Sequence, residues 1–534
     1  MILWIIALCI LIVGGFITTL IKQNKYNLIV SIILFLALIP LIKPIWKVIQ
    51  VGNMLIYDSN SVVLFQRFSS IIDPNTAFFI LSSIIICLIY ALSKIFDKAS
   101  LKLDMKDALL VIGTVFFSIA IIGINNCSYM LALMFIVPPL IQICRQKFSL
   151  QECKTENNTI SLVYSYISLM IFTFAILLFA ISSSNGINFD SIINVLQKTG
   201  KEFKEICYLL IFLSTALPAV LCDKLLSSNN INKEYYKEYF LIKNLLYTTF
   251  IYIFIRFVGI GALPQAFGRY FTLIILCGII LFSLFKIIKN YALKNFLFNY
   301  NLIGKSLSVL GVIIATFGYS FDKPIVAILG LTSSFLFFVN TILSDIMLSF
   351  EDYRIEKNSN ITINKNFLHS LKISLYSYSG VPLTIGFACW ISVFGALVLG
   401  LMSKTKELQM ACLLTLILLI IILLTVWFTS YNVITNISDN ENLTEECKKE
   451  ININRIISLC SATLIIIFGI LLKFVLKFIF CPISLMVGGT KFVEIFNSLE
   501  NLAAYYSIFA ILTVIITILY IFIKIVVYKL LQKD

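Results

Sequence analysis

The chain has 534 residues, of which 60% are hydrophobic, 14% aromatic and only 13% charged, about half the charged share of an ordinary soluble domain. A single buried core cannot absorb that much apolar side chain, which excludes a soluble multi-domain enzyme. A membrane protein of many spans remains, each helix crossing about 30 Å of hydrocarbon with about 20 apolar residues.

The excess of 41 Lys and Arg over 27 Asp and Glu gives a net charge of +14. These basic residues collect in short loops between apolar runs, as topogenic signals and lipid-headgroup contacts do. No Arg-rich stripe with interleaved aromatics is present, so nucleic acid is not an expected partner. The 13 Cys form no CxxC pair or Cys/His cluster, and His369 is the only histidine, too few ligands for zinc or haem. No dinucleotide fingerprint, flavin site or iron–sulfur Cys set is visible, so neither a metal, a cofactor nor a catalytic centre is expected in this chain.

Apolar windows predict helices near 2–21, 27–49, 75–95, 107–124, 128–144, 158–183 and 205–222. A second set follows near 239–260, 269–289, 300–320, 324–349, 371–400, 408–435, 453–480 and 503–529. The total is about fifteen spans, continuous and Leu/Ile-rich where a β-barrel would alternate. The first run, Met1 to Leu20, lacks a basic n-region and a small-residue cleavage site, and so reads as a span instead of a signal peptide. The polar stretches Val51 to Asn75, Glu351 to Phe367 and Ser438 to Asn454 are loop-sized. With the N-terminus outside, the inner loops hold roughly twice the Lys and Arg of the outer ones, which places the C-terminus in the cytoplasm. The Ile, Lys, Asn and Phe bias points to an AT-rich genome, and the expected location is a bacterial inner membrane.

A proline in the interior of a span breaks the helical ladder by its missing N–H and its ring, and two such spans stand in corresponding places. LLIFLSTALPAVLCDKLL contains Pro218, and LKISLYSYSGVPLTIGFACWISVF contains Gly380, Pro382 and Gly386. Each is the fourth of five consecutive spans if units of 107–260 and 269–435 are taken, with 1–106 before them and 453–534 after. Interrupted helices in corresponding places of two halves point to an inverted-repeat transporter. The expected fold class is therefore an all-α membrane protein with two inverted five-helix repeats, each holding a broken helix.

Several segments resemble the antiporter-like membrane subunits shared by respiratory complex I, Mrp-type cation/proton antiporters and membrane-bound hydrogenases. Asp73-Pro-Asn-Thr-Ala-Phe-Phe is similar to the opening of that family's third helix. SLVYSYISLMIFTFAILLFAISSSNGINFDSI resembles its long sixth helix and following loop. NYALKNFLFNYNLIGKSLSVLGVI, with Lys294, and the break SYSGVPLTIGF resemble two later segments. The resemblance implies proton conduction by a membrane subunit of a larger complex, at most one of the NADH:quinone oxidoreductase type. Its partners would be other membrane subunits and protons or monovalent cations.

The family's ionisable positions are altered. Its fifth-helix Glu falls at or beside Ile136, its seventh-helix Lys near Leu213 and the following His at Val220. In the second half Thr341 stands for a His, Asp345 for a Lys, and Trp390 for a Lys or Glu. The proton-path candidates are then Lys243, Arg256, Lys294, Lys305 and Asp345. Lys243 and Lys305, near predicted helix starts, are expected to snorkel to the interface, and Arg256 is either an intramembrane charge or an anchor. Asp345 is equally compatible with a partnered intramembrane site and a headgroup-facing helix end. The first half shows almost no midplane acid or base. Three readings stand: a proton-translocating subunit, a non-conducting structural or assembly paralogue of that family, and a secondary carrier of a small organic solute.

Overall fold

A computed structural model describes residues 2–20, 26–51, 55–63, 66–96, 103–148, 156–182, 188–189, 192, 198–226, 235–258, 266–289, 293–349, 354–355, 361–362, 365–439 and 453–477, with scattered positions from 501 to 522. Its helices are α1 (Ile2–Leu20), α2 (Tyr26–Val51), α3 (Pro74–Phe96), α4 (Met105–Gly123), α5 (Cys127–Met134), α6 (Val137–Phe148) and α7 (Glu156–Ser182). Next come α8 (Lys201–Ile211), a π-turn (Phe212–Ala216), α9 (Leu217–Leu226), α10 (Tyr236–Val258), α11 (Ala266–Lys289), α12 (Leu293–Ser320) and α13 (Pro324–Ser349). The chain continues with α14 (Lys365–Tyr378), α15 (Ile385–Leu401), α16 (Lys406–Asp439) and α17 (Ile453–Ile470).

Among the described residues twelve spans are long and apolar enough to cross a membrane, and Ile385–Leu401 and Ile456–Ile470 are shorter apolar helices. The expected fifteenth span, 503–529, lies largely outside the described residues. One correction concerns the loops: 51–75 holds an antiparallel hairpin, β1 (Leu55–Val63) with β2 (Gln66–Ile72), and 351–367 a smaller one, β3 (Arg354–Ile355) with β4 (Ile361–Thr362). β-branched residues at their ends favour extended pairing over an open loop.

Helices α10, α12 and α13 form the centre, with α10 enclosed throughout its apolar window, while α1 and α16 turn most of their surface outward. The tightest packing joins α12 to α13 through small residues. A Cβ on Gly311 would lie 2.7 Å from the Ser334 nitrogen, one on Gly318 2.2 Å from that of Ala327, and one on Gly330 2.5 Å from that of Ala315. With little hydrophobic drive between helices in lipid, such backbone approach supplies the dispersion contact that holds them. Many Ser and Thr hydroxyls within the spans bond back to carbonyls one turn earlier, as Ser83 does to Phe79 and Thr114 to Leu110, which satisfies them inside their own helix.

Candidate functional site

Both predicted breaks are present, in different forms. At the first, the π-turn precedes Pro218 and loosens the ladder. Nearby hydroxyls satisfy it: Ser168 donates to the Ser214 carbonyl at 2.9 Å and Thr215 to that of Ile211 at 2.6 Å. Beside Pro218 lies a small pocket whose walls include Met134, Val137, Ser165, Ser168 and Phe250. Apart from two serines it is apolar, and Ile136 is exposed on the outer surface. The pocket beside the first break is therefore lined by no charged residue.

At the second break α14 stops at Tyr378 and Gly380 takes a left-handed conformation with φ 68°. Val381 N–H then reaches back to the Tyr376 carbonyl at 3.0 Å and Gly380 N–H to that of Ser377 at 3.1 Å, closing the helix as a glycine C-cap does. Two indoles take the carbonyls left over: Trp390 Nε1 donates to Tyr378 at 2.8 Å, and Trp427 Nε1 to Ser379. Ser377 donates to Asn340 Oδ1 at 2.7 Å and accepts from Gly386 N–H at 3.3 Å. Gly386 is obligatory here, because a Cβ would sit 1.5 Å from the Ser377 oxygen.

Four buried charges meet across α9, α10, α12 and α13. Lys243 on α10 lies 2.6 Å from Asp345 on α13 and 3.8 Å from Asp223 on α9. Asp223 in turn accepts from Lys305 on α12 at 2.7 Å. Asp345, Lys243, Asp223 and Lys305 are thus one buried chain of alternating sign, contributed by four helices.

Neutral partners hold it in place. Asp345 also accepts from Asn244 at 2.6 Å and Asn301 at 2.7 Å, and Tyr239 donates to Asp223 at 3.2 Å. The Lys243 ammonium stands 5.1 Å from the Tyr239 ring centre and that of Lys305 5.2 Å from Tyr247, a further contact for desolvated cations. Equal numbers of carboxylates and ammoniums leave the cluster neutral, which is how ionisable groups persist away from water.

These positions correct the sequence expectations. Lys243 and Lys305 do not snorkel, because carboxylates on neighbouring helices meet them inside the bundle. Asp345 is enclosed and partnered, not headgroup-facing. Arg256 pairs with Asp73 at the start of α3, its guanidinium 5.2 Å from the Phe189 ring centre, apart from the four-charge chain. Lys294 opens α12, but its side chain lies outside the described residues. The first half is not devoid of buried acids: Asp73, Asp107, Asp223 and Glu238 are all enclosed and paired. Asp223 was the one member missed, its only signal being an acid three residues before the end of a broken apolar segment.

No family model and no curated protein matches the sequence. The architecture has clear counterparts among solved structures: it is a fold shared with chains of the Mrp complex, of an archaeal respiratory membrane complex and of respiratory complex I. A chain of the Mrp complex from Dietzia sp. superimposes with a TM-score of 0.68 at 11% identity over 93% of this chain and 55% of that one. The present chain thus spans little more than half the length of that counterpart. A chain of the archaeal membrane-bound sulfane sulfur reductase matches with a TM-score of 0.65 at 13% identity, covering 92% and 99% respectively. One of respiratory complex I from Thermus thermophilus matches at 0.64 and 13% identity, covering 91% and 99%.

Proposed function

We propose that this chain is a proton-translocating, antiporter-like membrane subunit of a larger complex, with the Asp345–Lys243–Asp223–Lys305 chain as its relay. The units 107–260 and 269–435 are its inverted repeats, and it resides in a bacterial inner membrane with the N-terminus outside and the C-terminus in the cytoplasm. The observation that carries the reading is the placement of Lys243 between two carboxylates at unequal distances of 2.6 and 3.8 Å. A proton reaching Asp223 neutralises it, which leaves Lys243 held by Asp345 alone and deprives Lys305 of its counter-charge. Lys305 is thereby readied to release a proton onward, since each charge sets its neighbour's proton affinity. Protons or monovalent cations are the transported species, and neighbouring membrane subunits are the partners.

The test is flux in vesicles reconstituted with the intact assembly and a pH-sensitive dye. Lys305→Met and Asp223→Asn are expected to abolish flux that the unsubstituted assembly supports. Unchanged flux in both would overturn the relay.

A second reading, a non-conducting structural paralogue, is favoured by one feature: Leu213 and Val220, on either side of Pro218, stand where the resemblance implies ionisable residues, and the pocket beside Pro218 is lined by no charge. Absence of flux from an intact, unsubstituted assembly would select it.

A further inference from the structure

A second buried network lies on the same helix ends as Asp223, those that border the connections 97–104, 149–155 and 227–234. Near the end of α3, Lys94 lies 2.6 Å from Glu238 at the start of α10, and Tyr90 donates to the same carboxylate oxygen at 3.1 Å. Asp107, in the first turn of α4, pairs with Lys147 near the end of α6, and α4 packs against α3, which carries Tyr90. The Lys147 side chain is 22% exposed, whereas Lys94, Glu238 and Asp107 are enclosed.

Each of the two carboxylates keeps one buried oxygen with no hydrogen-bond partner among the described residues, Oε2 of Glu238 and Oδ2 of Asp107. A carboxylate fully engaged in a structural ion pair fills both oxygens, because leaving one dry and unbonded costs about 1–3 kcal/mol or more. A free oxygen on each is what a group that takes up and returns a proton requires. The next residue after Glu238 is Tyr239, whose hydroxyl donates to Asp223, so the network abuts the four-charge chain. Lys243 lies five residues further along α10, about 7.5 Å deeper.

The geometry points to Asp107 and Glu238, coupled through Tyr90, as the proton-collecting entrance to the Asp345–Lys243–Asp223–Lys305 chain. This rests on the relay reading above. Asp107, beside the partly exposed Lys147, takes a proton from water. The proton passes by way of the Tyr90 hydroxyl to Glu238 and on toward Asp223, each carboxylate returning to its ionised, lysine-paired state. Only protons move.

The test uses the intact assembly in vesicles, with Asp107→Asn, Tyr90→Phe and the double variant Lys94→Met/Glu238→Gln. The double variant removes both charges of a buried pair together and so leaves none uncompensated. Tyr90→Phe keeps the ring and loses only the hydroxyl. Flux is expected to fall at least about tenfold in Asp107→Asn and the double variant, and several-fold in Tyr90→Phe. If Asp223→Asn abolishes flux while Tyr90→Phe and the double variant retain it in full, the entrance is wrong and the relay stands. If Asp223→Asn itself conducts normally, the relay reading fails first.

Discussion

Asp223 and Lys305 join α9 to α12 through a 2.7 Å contact between Oδ2 and Nζ, and neither is reachable from solvent. Replacing Lys305 with Met leaves Asp223 facing Lys243 at 3.8 Å and the Tyr239 hydroxyl. Breaking one side of such a pair destabilises by about 3–5 kcal/mol. The expected outcome is a lower unfolding temperature together with lost flux. Asp223→Asn combined with Lys305→Met should recover most of the stability and none of the flux, and thermal unfolding alongside the vesicle assay separates the two effects.

Asp345→Asn is predicted to be milder on the fold. The site is already lined by two amides, Asn244 and Asn301: one goes on donating to the new amide oxygen, and the other can turn its own unpartnered Oδ1 to accept from the new N–H. Lys243 then loses its nearer carboxylate and should close on Asp223. A structure of the variant would show that separation shortened from 3.8 Å, and flux should vanish.

The second break depends on indoles. Trp390→Phe strips the Tyr378 carbonyl of its 2.8 Å donor and should cost about 1–3 kcal/mol, the penalty for an orphaned buried acceptor. Ser168→Ala at the first break removes an ordinary hydroxyl bond to Ser214 and should cost about 1 kcal/mol. Denaturation of the two variants in one detergent gives the ranking directly.

Gly386→Ala should prevent assembly altogether. Its added methyl would overlap the Ser377 oxygen at 1.5 Å, a backbone atom that cannot yield without reopening the break. Recovery of the complex by size-exclusion chromatography is the measurement.

The fold was legible because its signals are local. Apolar runs mark the spans, and Pro218 and Gly380-Val381-Pro382 mark the breaks. The hairpin of residues 55–72 was hidden because its polar centre reads as loop and its partner strands lack strict alternation. Within the site, Lys243, Lys305 and Asp345 stood out as ionisable groups in apolar context, but their fate did not. Lys243 and Asp345 are 102 residues apart, and Lys305 meets Asp223 across 82. Distance from a helix start indicates snorkelling only where no counter-charge arrives from another helix, and that arrival is a tertiary fact. Asp223 is followed at once by Lys224, and in sequence such a pair has the pattern of a solvated helix end. Glu238 and Asp107 were masked in the same way at helix beginnings, where acids are commonplace.

The π-turn at Phe212–Ala216 is also an angular setting. One residue of α-helix advances the side-chain direction by roughly 100°, so winding the same five residues regularly would swing everything beyond Ala216 around the axis by about that amount. The carboxylate seven residues downstream would then sweep past α12 and face a different neighbour. The bearing of Asp223 is thus encoded by a wide coil two turns upstream, in residues that carry no charge at all.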